Sequence, residues 1–140
     1  MRLLGHPLHA LLVAFPIGLL ALIPLWDGLA WLLAARELAL VAYYSEVAGV
    51  VAAALAALVG FWDLLKLEAD ELRIGIRHAL GVIAACSAFG GALALREPTE
   101  LPSAIVCSLD GMGAVLLAVG GWFGAELVFG HGVGMRSRER

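Results

Sequence analysis

Four histidines, His6, His9, His78 and His131, are the residues of this 140-residue chain best suited to chemistry. Two stand three residues apart in GHPLHALL at the head of a long apolar run, one opens a later run in RHAL, and one closes the last in VFGHGVG. Imidazole at the edge of hydrocarbon can simply cap or snorkel, but its neutral form also offers a nitrogen to a metal. Carboxylates are the second group. Glu46 and Asp110 interrupt apolar runs away from their ends, where an isolated charge costs at least about 2.5 kcal/mol. Asp63 closes another run beside Phe61 and Trp62. No nucleophile with a base and an orienting group can be assembled and no phosphate loop is present, so no catalytic residue is assigned.

Membrane helices must position these groups. Hydrophobic residues make up 62% of the chain and charged ones 15%, with a mean hydropathy of +0.95, far outside soluble composition. Apolar runs cover about residues 7–35, 38–65, 74–95 and 103–130, each long enough to cross a core of roughly 30 Å. They are broken at Arg36-Glu37, by the polar stretch Lys66 to Arg73, and by REPTELPS from Arg96 to Ser103. The expected fold is all-α, an integral membrane four-helix up-down bundle forming one domain. The first run continues past Asp27 and is expected to be a retained helix rather than a signal peptide. Most of its surface faces the lipid bilayer, and no nucleic-acid footprint is visible. Cys86 and Cys107 fall in separate runs at different depths, which argues against a disulfide.

Basic residues set the orientation. Arg2, Lys66, Arg73, Arg77, Arg136, Arg138 and Arg140 lie on one side, against Arg36 and Arg96 on the other, so both termini are expected in the cytoplasm. All four histidines reach that same side. His9 to Asp27 and His78 to Arg96 are each 18 residues apart, about 27 Å of helix, so the two imidazoles are expected at similar heights. Steps of three and four residues link His6, His9, Pro16, Leu20 and Asp27 on the first helix, and Glu46, Gly49, Ala53, Ala56, Gly60 and Asp63 on the second. The same stepping links His78, Gly81, Ala85, Ala88 and Ala92 on the third, and Asp110, Gly113, Gly120, Gly124 and His131 on the fourth. Those seams should face the interior.

Small residues on such seams let helix backbones approach. Beside imidazoles they also leave a slot for a flat macrocycle, whose iron takes axial nitrogens from facing helices. His9 and His78, on diagonally opposite helices, are the first choice as axial ligands of haem b, with Gly60, Gly120 and Gly124 as walls. His6 and His131 are alternates, or partners of propionates together with Arg73 or Arg77. Asp63 is placed behind an imidazole N–H. Glu46 and Asp110 suit either an interhelical hydrogen bond or a proton or quinone-side role near Tyr43, Tyr44, Ser45 and Ser108.

HPLHALLVAFPIG at the start and GWFGAELVFGHGVG at the end, with WD after the second helix and RHAL opening the third, resemble a bacterial membrane-protein family, the domain of unknown function two-two-three-one. The resemblance covers almost the whole chain and implies a four-helix protein of the bacterial inner membrane, some relatives being associated with Rieske-type iron–sulfur proteins. It matches at His6, Pro7, His9, Phe15, Pro16, Asp63, His78, Gly121, Gly124, Glu126, His131, Gly132 and Gly134. The family usually reads HPLHP and then VHFP, where this chain has Ala10 and Ala14; any site that a further histidine serves in relatives is therefore altered here.

Three readings follow. The first is a bis-histidine b-type cytochrome that passes electrons to or from a Rieske-type protein, a cytochrome or a quinone, an electron-transfer or binding subunit rather than a stand-alone enzyme. The second is a zinc or copper site from His6, His9, His131 and Asp63. The third is a structural subunit without a cofactor. Association with further copies of the chain is left open.

Overall fold

Helices follow directly from the four apolar runs, and the breaks between them follow from local chemistry. The computed structural model describes residues 2–3 and 6–134, with side chains from Leu8 onward; Arg136, Arg138 and Arg140, and the side chains of Arg2 and His6, lie outside the described set. A two-residue antiparallel pairing of β1 (Arg2–Leu3) with β2 (His6–Pro7) precedes the bundle. The helices are α1 (Leu8–Ala21), α2 (Ile23–Leu33), α3 (Arg36–Leu64), α4 (Ala69–Leu95) and α5 (Ala104–Ala125), the last continuing as a π-helical segment over Glu126–Gly130. Together α1 and α2 form one membrane span; α3, α4 and α5 with its π segment form the other three.

The first and third spans differ from the sequence expectation. The first span is not one helix: Leu22 interrupts it and α2 restarts with Pro24 in its first turn, where a missing N–H costs nothing because that N–H has no partner within the helix anyway. The turn to α3 closes on Ala34, held at φ 51° and ψ 34° while its N–H caps α2. The third span begins at Ala69 rather than near residue 74, because Glu68 and Glu71 form a reciprocal capping box inside the polar stretch. Asp70 and Glu71 in that first turn also suit the positive end of the helix dipole. Span 4 starts as expected, with Ser103 accepting from the Val106 N–H at 3.3 Å.

The seams read from three-and-four stepping are the buried faces. Pro16, Leu20, Ile23 and Asp27 are buried on the first span, Glu46, Gly49, Ala53 and Ala56 on the second, Ala85, Ala88 and Ala92 on the third, and Asp110, Gly113 and Gly120 on the fourth. Large side chains fill glycine hollows: Leu20 lies against Gly49 and Phe89 against Gly113. The many exposed Leu, Val, Ile, Phe and Trp side chains form the lipid-facing surface of four membrane-spanning helices. Cys86 and Cys107 are both free thiols.

Spans 1 and 2 pack closely along their length, as do spans 3 and 4, while the two pairs meet more sparsely. Backbone meets backbone where Gly81 on α4 lies against Gly120 on α5: a Cβ at Gly81 would stand 2.8 Å from the Gly120 Cα. Backbone cannot yield there as a flexible side chain could. We expect Gly81→Ala to destabilise the bundle by about 1–3 kcal/mol in thermal or denaturant unfolding in detergent. Gly90→Ala, where a Cβ meets nothing within 4 Å, should be close to neutral.

Candidate functional site

The bundle gathers its polar chemistry at its two ends. At one end the first turn of α1 and the third turn of α4 bring His9 and His78 together, ring centroids 6.3 Å apart and planes at 78°. Both rings are half-buried. His9 Nδ1 lies 3.0 Å from the Ala56 carbonyl oxygen, and His78 Nδ1 lies 2.8 Å from that of Gly120. A carbonyl only accepts, so each Nδ1 carries the proton and donates, which leaves Nε2 as the lone-pair nitrogen of both rings. Neither Nε2 takes a hydrogen bond among the described residues. Backbone carbonyls therefore do for these imidazoles the orienting work that the sequence assigned to Asp63.

The glycines have different tasks from those expected. A Cβ on Gly60 would stand 2.6 Å from His9 Cε1, and one on Gly124 would stand 2.9 Å from His78 Nδ1. Gly60 and Gly124 thus make room for the imidazoles themselves, and Gly120 serves the helix contact with Gly81 while lending its carbonyl to His78. Toward mid-span from the pair, a groove of about 270 Å³ opens between α3 and α4, lined by small and branched residues including Ala53, Ala57, Val82 and Cys86 and by neither histidine. Val82 is one turn along α4 from His78.

Other sequence candidates at this end are exposed or make contacts elsewhere. His131, at the end of the π segment, is exposed, with Nδ1 3.4 Å from the Glu126 carbonyl oxygen. Asp63 forms an ion pair with Lys66 at 3.1 Å. Arg77 lies over the Phe123 ring at 5.9 Å, and Glu126 is exposed. The His6 side chain lies outside the described residues, among which no group of three or more His, Cys, Asp or Glu side chains is arranged to hold a metal ion.

The opposite end holds a cluster that sequence reasoning missed. Arg96, read as a loop charge, turns inward and is almost wholly buried. Its Nη1 and Nη2 donate to the two oxygens of Asp27, both at 2.8 Å, its Nε to Glu46 Oε2 at 2.8 Å, and Nη2 also to Asp110 Oδ2 at 2.6 Å. One residue from each span takes part. Burial opposes the guanidinium charge, but hydrogen bonding to Asp27 and the charges of Asp27, Glu46 and Asp110 outweigh it and raise its pKa above the ordinary arginine range. A planar fork with five N–H donors is the side chain able to serve three carboxylates at once. Trp31 ties the same end down by donating its indole N–H to the Pro102 carbonyl at 2.7 Å. Tyr44 and Ser108 are exposed, and Ser108 donates instead to the Ala104 carbonyl.

Against this geometry, the family model described as "Predicted membrane protein (DUF2231)" matches residues 5–137. The chain belongs to this family. As a DUF2231 protein it is a helical membrane protein, and the matched region takes in both the histidine pair and the arginine cluster. No curated protein and no solved structure matches the chain.

Proposed function

We propose that this DUF2231 protein is a b-type cytochrome-like subunit of the bacterial inner membrane, with His9 and His78 as the axial ligands of haem b. The observation that carries the reading is the histidine pair itself. Two imidazoles from diagonal spans present unprotonated Nε2 atoms at one level, each ring fixed by a carbonyl on a third and fourth helix. Their ring centroids are 6.3 Å apart, near enough for one bound group to take a nitrogen from each. Bound there, haem would supply one-electron redox chemistry, tuned by the two ligands and their hydrogen bonds. The protein holds and orients it, and a Rieske-type protein, another cytochrome or a quinone completes the exchange.

Charge supports placing the histidine end in the cytoplasm. Buried and paired, Arg96 no longer counts as a loop charge, which leaves Arg36 as the basic residue beyond the opposite end, against Lys66, Arg73 and Arg77 at the histidine end.

Reduced-minus-oxidised visible spectra of the protein purified in detergent test the reading. We expect stoichiometric haem bands that disappear in His9→Ala and in His78→Ala and persist in His131→Ala. A colourless protein carrying one zinc or copper per chain would replace haem by a metal site, and a colourless, metal-free protein would overturn both.

A further inference from the structure

The arginine cluster does not balance as drawn from its ion pairs. Asp27, Glu46 and Asp110 bring three carboxylates to one guanidinium, and all four groups are buried. With every acid ionised the cluster would hold two uncompensated negative charges inside the bundle, a penalty of several kcal/mol per charge in low-dielectric surroundings. Asp27 is matched on both oxygens by the two Nη atoms of Arg96. Glu46 and Asp110 are each matched on one oxygen only. Their other oxygens, Glu46 Oε1 and Asp110 Oδ1, are buried and have no donor, although the two carboxyls accept from adjacent nitrogens of one guanidinium, Nε and Nη2, and so lie side by side. Two ionised carboxylates have no proton to offer, so this contact is repulsive unless one of them carries one.

We propose that Glu46 and Asp110 hold one proton between them, forming a buried proton-binding site at the end of the bundle opposite the histidines. One shared proton gives the two acids a donor between them and reduces the cluster's net negative charge from two to one. Arg96 faces the pair from the end of α4, Asp27 from α2, and Cys107 from α5 as the remaining titratable neighbour. Both oxygens of Asp27 are already engaged by Arg96. The proton therefore belongs to the α3–α5 contact, where it joins spans that lie diagonally across the bundle. The site does not depend on what the histidine end binds.

Infrared spectroscopy of the unaltered protein in detergent or lipid reads it directly, since a protonated carboxyl has a C=O stretch distinct from the carboxylate bands and shifted in D₂O. Surface acids are ionised at neutral pH, so a band persisting there reports a buried acid. We expect one such band at neutral pH, lost in Glu46→Gln and equally in Asp110→Asn, because in each variant an amide N–H replaces the proton and the remaining carboxylate stays paired with Arg96. Absence of the band in the wild-type protein would overturn the proposal, whether or not the variants fold. A band that survives either single substitution would put the proton on one acid alone and overturn the shared site.

Discussion

Arg96→Met should cost more stability than any other single substitution in the chain. Removing one partner of a buried ion pair typically costs about 3–5 kcal/mol, because the other charge is left without compensation. Here one side chain serves three acids, so its loss strands Asp27, Glu46 and Asp110 together, each less than about 2% exposed. Lysine would not substitute: a point charge cannot make the paired contact to both oxygens of Asp27 while also reaching Glu46 and Asp110. Unfolding by heat or denaturant in detergent should show Arg96→Met losing at least about 3 kcal/mol, with Arg96→Lys intermediate. The combined Arg96→Met, Asp27→Asn, Glu46→Gln and Asp110→Asn protein should recover much of that loss, since the cost lies in unmatched charge rather than in missing attraction. If Arg96→Met alone is as stable as wild type, the guanidinium is not what joins the four spans at this end.

That cluster also marks where linear reading stops. Seams were legible because small and polar residues recur every three or four positions, and burial of Leu20, Ala53, Ala88 and Gly113 follows that pattern. The common level of His9 and His78 was legible as well, since equal residue counts from a helix end are equal heights. Arg96 was not, because it follows the last turn of α4 beside Glu97 and two prolines and so resembles any loop charge. A signal was present: Asp27, Glu46 and Asp110 all fall toward the same end, with Arg36 and Arg96 the basic residues near enough to neutralise them. Charge matching across helices, rather than along them, would have drawn Arg96 inward. The break at Leu22 and the early start of α4 were missed for a local reason. Pro24 was read as part of an unbroken run, and a glutamate at an N-cap is a weak signal beside serine or aspartate.

Glycine roles divide in the same way. Position on a seam was visible, but only side-chain placement tells whether the space above a glycine belongs to a neighbouring helix, a ring or a bound group. At Gly81 and Gly120 it belongs to backbone, whereas at Gly60 and Gly124 it belongs to the two imidazoles. This makes the histidine geometry dependent on residues that never touch a ligand.

Gly124→Ala and Gly60→Ala should accordingly act on the histidines before they act on the fold. At position 124 the new methyl would sit 2.9 Å from His78 Nδ1, and at position 60 it would sit 2.6 Å from His9 Cε1. An aromatic ring held by its Nδ1–H bond cannot slip aside by a few tenths of an ångström without lengthening that bond, which is 2.8 Å to Gly120 for His78 and 3.0 Å to Ala56 for His9. Each substitution should therefore release the ring from its carbonyl and let the proton move to Nε2, the atom that must stay unprotonated to bind a metal. Nitrogen-15 NMR of the imidazoles reads this without any cofactor: wild type should show the Nδ1–H tautomer at His9 and His78, and each glycine variant should lose it at the ring it displaces. If haem is bound as proposed, affinity should fall by about 10- to 100-fold, the usual cost of losing an orienting contact behind a ligand. Gly121→Ala, where a Cβ meets nothing within 4 Å, separates this effect from any general intolerance of the fourth span and should leave both tautomers and the spectrum unchanged. Unaltered tautomers in Gly60→Ala and Gly124→Ala would mean that the carbonyl contacts survive the added methyl, and that these glycines serve helix packing alone.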